Sequence, residues 1–260
     1  MELKLKLGWF TSGRGLGSRS MLENAIHEIK QGNLNAEIEF VFMHRELGEG
    51  EGSDHFIQFV HSLGIPLINF SYKKFMQGKS NLNATNRHEF DRLVRLRLEG
   101  FSPDICILAG YLLILSNQMT EEFRFINLHG ALPGGPVGLW QSVIRDLIGN
   151  NVKESGINVF LVTPDLDKGP SISFCKFNLF GERFDHLWSD AESKNRMNKK
   201  DIGQNMPLFQ SIREEGLLRE PIILTETINY ISTNFQDLSL LGKIPAIDLT
   251  SRVDMKVAAV

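Results

Sequence analysis

Short apolar runs recur along this chain, each breaking into a Gly- or Pro-bearing loop, and most are followed by a segment of helical period. Such alternation constrains the fold to an open, mainly parallel α/β sheet, because crossover helices are what join parallel strands. The pattern predicts strands over residues 5–11, 38–43, 67–70, 104–109 and 125–129, with helices near 18–30, 54–63, 86–99 and 139–148. Two further runs, 157–162 and 172–177, lie close enough to form an antiparallel hairpin at one edge. Ligands of such sheets sit at the carboxyl ends of the strands.

The chemistry-bearing residues fall at those ends. The run Phe125-Ile126-Asn127-Leu128-His129 delivers an amide and an imidazole two residues apart, then breaks at Gly130 into a Gly/Pro loop. At a strand's period of two, Asn127 and His129 share a side. An amide donor stabilises a developing oxyanion and an imidazole moves a proton, which is what acyl-type chemistry needs. Taken alone, the spacing suits a hydrogen-bonded His in a strand-to-helix loop equally well. A second strand ends in Thr163-Pro164-Asp165-Leu166-Asp167-Lys168-Gly169, and a carboxylate there can orient an imidazole. Acidic turn residues after a strand are by themselves ordinary. The pair Asn-x-His and, 38 residues later, Asp-x-Gly is more specific.

The first strand runs into Ser12-Gly13-Arg14-Gly15-Leu16-Gly17-Ser18, where exposed backbone N–H groups lead into a helix N-terminus, a ready anion site. A merely tight turn explains the glycines too. The dinucleotide fingerprint fails by one position, because Gly17 comes too early and Ser18 holds the required place. The second strand ends at Met43-His44-Arg45, without the acidic residue that would hold an adenosine ribose, so a dehydrogenase is the weaker reading.

Composition narrows the class. At 42% hydrophobic and 23% charged residues the chain is globular, and 28 basic against 31 acidic residues imply no basic face and no nucleic-acid partner. The N-terminal residues lack the apolar core of a signal peptide, and no run of membrane-spanning length occurs. Cys106 and Cys175 both lie in apolar runs, reading as buried thiols of a reducing, cytoplasmic compartment. The seven histidines show no metal-ligand spacing, so no metal is expected.

Together these motifs resemble the formyltetrahydrofolate-dependent formyltransferase family, closest in layout to its phosphoribosylglycinamide branch, from about Gly8 to Leu179. The family's catalytic Asn, His and Asp fall on Asn127, His129 and Asp167. Its folate-site strand, of the type V-L-A-G-F-x-x-I-L-S, is matched by Ile107-Leu108-Ala109-Gly110-Tyr111-Leu112-Leu113-Ile114-Leu115-Ser116. The resemblance implies a Rossmann-like formyltransferase fold, with a catalytic domain over 1–180 and a helical extension and tail over 181–260 packed on it. It implies formyl transfer from 10-formyltetrahydrofolate to an amine, foremost glycinamide ribonucleotide of purine biosynthesis. Gly110, Tyr111, Leu112, Leu113 and Ile114 would then hold the folate with Val162, Thr163 and Asp165. Ser12, Gly13, Arg14, Gly15, Gly17 and Ser18 would hold the acceptor phosphate. Partners are small molecules, with no membrane; a homodimer stays open.

Several departures from the family pattern fall on residues that would meet the acceptor. The loop after His129 is one residue shorter than the branch's N-x-H-P-S-L-L-P, Phe160 replaces a His, and Leu113 replaces the usual Arg. The polar stretch 183–205 looks inserted, the tail 242–260 is sparse in helical pattern, and Glu214, Glu215 and Glu220 all compete as the acceptor clamp. Arg87 matches a family Arg. Sugar-nucleotide N-formylation, formyltetrahydrofolate hydrolysis, or a folate- or nucleotide-binding regulator are the rivals. The catalytic fold opening at Leu5 disfavours the hydrolase.

Overall fold

The computed structural model describes residues 4–79, 84–165, 168–193, 197 and 199–259. The chain folds into two compact units, each threaded by several segments.

The first unit comprises residues 1–127, 161–170 and 228–241. It carries β1 (Leu5–Thr11), α1 (Leu16–Lys30), β2 (Ala36–Met43), α2 (Glu51–Ser62), β3 (Leu67–Asn69), α3 (Tyr72–Phe75), α4 (Ala84–Arg97), β4 (Ile105–Leu108) and α5 (Asn117–Glu122). The strand β5 (Phe125–His129) begins in it. β1 pairs in parallel with β2 and β4, β2 with β3, and β4 with β5. These strands read as continuous apolar runs because both faces are covered, as parallel sheets require. Phe10 is the hub. Its ring contacts Phe40, Phe42, Tyr111 and Phe125 at centroid distances of 5.7, 5.2, 5.8 and 5.0 Å, three of them edge-on. Phe90 and Val94 of α4, with Leu98 just past its end, close over the same cluster.

The second unit comprises residues 128–160, 171–227 and 242–260. Its elements are α6 (Trp140–Gly149), β6 (Glu154–Leu161), β7 (Ser171–Asn178), α7 (Asp185–Ser193), α8 (Pro207–Asn234), β8 (Ile247–Asp248) and α9 (Thr250–Val257), with β6 and α8 running on into the first unit. β6 and β7 form the expected antiparallel hairpin, bulged at Val159/Phe160, and β8 adds in parallel to β7. The fold is therefore α/β and mainly parallel, with an antiparallel part and C-terminal helices. The thiols of Cys106 and Cys175 are buried, and burial pushes Cys175 up to about 12.

One sequence reading gains detail and one needs correction. The polar stretch 183–205 contains a helix, α7, whose Trp188 is buried and donates its indole N–H to the Leu179 carbonyl at 2.5 Å. The described part of the tail carries β8 and α9. Asp248 accepts from the Thr250 N–H at 2.9 Å, Val253 is buried, and Arg219 of α8 reaches Asp254 at 3.5 Å. α9 has only three apolar residues, Val253, Met255 and Val257, and only Val253 is buried, which is why periodicity missed it. Among the described residues no helix is long and apolar enough to cross a membrane.

Phe10→Ala should cost about 3–5 kcal/mol, the scale for deleting a buried aromatic ring. Urea denaturation reads this as a lower midpoint at unchanged slope; a midpoint within error of the parent would remove Phe10 from the centre of the core.

Candidate active site

In the first unit the parallel strands bring their carboxyl ends to one edge. β1 ends at Thr11, whose hydroxyl oxygen accepts from the Gly13 N–H at 3.1 Å. Gly13 has φ +61, and a Cβ there would come within 2.6 Å of Met43 Cε and 3.0 Å of Phe56 Cβ. Gly15 caps α1 in extended backbone, with open space where its Cβ would stand. The two glycines thus differ: Gly13 is demanded by backbone and packing, Gly15 by neither. α1 begins at Leu16, two residues before the predicted start, so Gly17 and Ser18 belong to its first turn. Arg14 and Leu16 are exposed, whereas Ser18 is buried.

Ser18 packs against Gly110. This residue, at φ +70 just beyond β4, has no Cβ, and one added would stand 2.2 Å from Ser18 Oγ. Its carbonyl accepts both the Ser12 N–H, at 3.2 Å, and the Ser12 hydroxyl, at 2.7 Å. The anion-type loop and the folate-type loop, separate motifs in the sequence, are one hydrogen-bonded junction in the fold.

Beyond Gly110 the side chains diverge. Tyr111 turns into the core against Phe10, Phe42 and His44, so only its backbone is placed to meet a ligand. Leu112 and Ile114 are exposed and Leu113 is partly buried against the core. The loop ends where the Ser116 N–H donates to the buried Asp91 carboxylate at 2.5 Å, and burial raises the Asp91 pKa. Sequence reasoning missed this anchor, although a carboxylate beside Phe90 on the apolar face of α4 was its signal.

Asn127 lies opposite Leu108 in the β4–β5 register, at the same edge. Next to it the Val162 N–H donates to the Phe125 carbonyl at 2.8 Å, and the Thr163 hydroxyl donates to the Asp165 carbonyl at 3.2 Å. Asp165 is exposed. Asp167 lies outside the described residues. The first unit thus gathers the 12–15 loop, the 110–114 loop, Asn127 and residues 162–165.

A further buried group lies at this edge. His44, directly after β2, packs its ring 5.1 Å from that of Tyr111, and neither ring nitrogen has a hydrogen-bond partner among the described residues. Burial, then the charges of Arg45 and Arg14, push its pKa down to about 4. The imidazole is neutral there at physiological pH.

His129 ends β5 in the second unit. Its Nε2 donates to the Pro136 carbonyl at 2.6 Å, across the loop that follows it. The three candidate glutamates all sit on α8 and are all paired: Glu214 and Glu215 with Arg183, Glu215 also with Arg219, and Glu220 with Arg213 at 2.5 Å. Of these, Glu220 shares with Gly130 and Trp140 a cavity of about 20 Å³. Glu215 lines a different cleft of about 500 Å³, which none of the motif residues touches. Among the described residues no cluster of His, Cys, Asp or Glu is arranged to hold a metal.

Comparison with known proteins agrees with these motifs. The profile of the formyl transferase family matches residues 14–182. The chain is 28% identical to a phosphoribosylglycinamide formyltransferase of Dictyostelium discoideum over 167 residues, covering 60% of this chain and 77% of that protein. It is 32% identical to the Escherichia coli phosphoribosylglycinamide formyltransferase over 112 residues, covering 42% and 52% respectively. In structure it superposes on a phosphoribosylglycinamide formyltransferase of Coxiella burnetii with a TM-score of 0.63, at 21% identity over 88% of this chain and 87% of that one. A formyltetrahydrofolate deformylase of Burkholderia mallei superposes with a TM-score of 0.58, at 18% identity over 87% and 64%.

Two outcomes follow from the geometry. Gly13→Ala should destabilise by about 1–2 kcal/mol or more, from left-handed backbone alone, whereas Gly15→Ala should stay within about 0.5 kcal/mol; equal effects in chemical denaturation would contradict the distinction. For His44 the folded pKa lies below the unfolded value of about 6.5, so the unfolded state binds more protons and stability falls with falling pH between about 6.5 and about 4. A melting-temperature series should therefore drop less over that window in His44→Gln than in the parent, and parallel curves would contradict it.

Proposed function

Since the chain belongs to the formyl transferase family, we propose that it moves the formyl group of 10-formyltetrahydrofolate onto the amine of glycinamide ribonucleotide, a step of purine biosynthesis. The observation that carries this reading is the Asn-x-His pair ending β5 in a chain of this family. The 110–114 backbone and residues 162–165, at the same sheet edge as Asn127, support a donor site there. The amine nitrogen attacks the formyl carbon, the carbonyl oxygen takes negative charge, and the bond to folate N10 then breaks. Asn127 donates its amide N–H to that oxygen, and a preorganised donor is what such charge demands. His129 exchanges the proton that the attacking amine loses and N10 gains. Asp167 serves as the carboxylate partner in that transfer.

The acceptor phosphate is assigned to the backbone N–H groups between Ser12 and Leu16, at the N-terminus of α1. Arg14 and Arg45, whose charges both act on His44, supply a positive field for it. Glu220, the one candidate glutamate sharing a cavity with Gly130, is assigned to the acceptor's amine end. The protein acts on small molecules.

The test follows tetrahydrofolate release from 10-formyltetrahydrofolate. Release should require glycinamide ribonucleotide, and Asn127→Ala, His129→Ala and Asp167→Asn should each lower turnover on the order of a hundredfold or more. Release on an amino-sugar nucleotide or in water alone would keep the chemistry and overturn the acceptor. Near-parental rates in two of the three variants would overturn the assignment of roles.

A further inference from the structure

The bond between His129 and Pro136 restricts what the imidazole can do. A carbonyl oxygen only accepts hydrogen bonds, so the ring nitrogen 2.6 Å from the Pro136 oxygen must carry a hydrogen. That nitrogen is Nε2, and its hydrogen stays committed to the loop in both the neutral and the cationic ring. We infer that the reacting nitrogen of His129 is Nδ1, and that the Pro136 carbonyl is the positioning group that selects it.

The loop is built to hold that carbonyl. The Gly135 N–H donates to the Leu132 carbonyl at 2.8 Å, closing a turn through Gly134 at φ +78. A Cβ on Gly135 would come within 2.9 Å of the same Leu132 oxygen. Ala131 is buried. Leu132 seats on the bare backbone of Gly156 in β6, where an added Cβ would come within 2.3 Å of Leu132 Cδ2 and 2.2 Å of the Cys175 carbonyl. The chain then turns through Gly138, at φ +103, into α6. Four glycines and one seated leucine thus place one backbone oxygen on one ring nitrogen. A hydrogen bond to the other nitrogen is the usual way in which the working nitrogen of a His is set.

The chemistry rests on the formyl-transfer reading, and its balance is simple. Nδ1 of the neutral ring takes one proton from the attacking amine as the new C–N bond forms. The imidazolium, with Nδ1–H and Nε2–H, gives the Nδ1 proton to folate N10 as the old C–N bond breaks. The ring returns to its Nε2–H tautomer, with the formyl group moved and no net proton gained. Throughout, the Nε2–H bond to Pro136 persists.

The test is ring ¹⁵N spectroscopy on the full chain labelled at histidine, with His129 assigned by difference against His129→Gln. The neutral His129 should show a protonated Nε2 and an unprotonated Nδ1. In Leu132→Ala, and separately in Gly134→Ala at the exposed turn, the two signals should move toward averaged positions. Turnover should fall roughly ten- to a hundredfold with the donor KM little changed, the scale for a misplaced catalytic group. A protonated Nδ1 in the neutral parent ring, or unchanged spectra and turnover in both variants, would overturn the inference. If no acceptor yields tetrahydrofolate while the Nε2–H tautomer is found, it is the formyl-transfer reading that fails, because the spectrum alone decides the tautomer.

Discussion

One backbone carbonyl, that of Gly110, ties together the two loops on which the candidate site of the first unit rests. It accepts twice from Ser12, and the absent Cβ admits Ser18 from the first turn of α1. Two hydrogen bonds of this kind contribute about 1 kcal/mol each in net terms, a modest sum. Their weight lies in geometry. They fix the ends of β1 and β4 relative to one another, and with them the start of α1, so the exposed N–H groups of one loop and the backbone of the other are set before any ligand arrives. Preorganisation of this sort is what makes donors effective toward a charge that develops during reaction.

Beneath that junction the core does two jobs. Phe10, Phe42 and Tyr111 supply apolar burial, and Tyr111 also packs on His44, a polar group that would be cheaper in water. Asp91 is held by the Ser116 N–H and still has its pKa raised by burial; His44 is kept neutral by burial and two arginines. An unpaired buried polar group costs about 1–3 kcal/mol. Such costs at the edge of a sheet where ligands bind are the usual signature of a site whose order matters more than its stability.

Much of this was legible in the residues. β1 was read to the residue, and β5 and the β6–β7 hairpin fell where apolar runs and Gly/Pro breaks put them, because parallel strands buried on both faces leave an unambiguous apolar run. The family likeness was legible for the same reason as the fold: its motifs lie at strand ends, where side-chain identity is constrained by chemistry. What was not legible is backbone-borne. Nothing in the identity of Pro136 announces that its carbonyl will meet His129, and nothing in Gly110 distinguishes a ligand cradle from a junction with Ser12. That the Tyr111 ring belongs to the core while its backbone faces the sheet edge is likewise not legible, since one aromatic letter serves both uses. α9 escaped because five of its eight residues are polar or charged and its docking depends on Arg219 and Asp248, partners distant in sequence or outside the helical repeat.

If one junction organises both loops, titration calorimetry on Gly110→Ala shows it most directly. The parent should bind tetrahydrofolate and glycinamide ribonucleotide each on its own. In Gly110→Ala, with Ser18→Ala added in a second variant to relieve the contact with the new Cβ, both affinities should fall together, because left-handed backbone is denied to both loops at one point. Loss of one ligand with the other bound at parental strength would contradict a shared junction, as would parental binding of both.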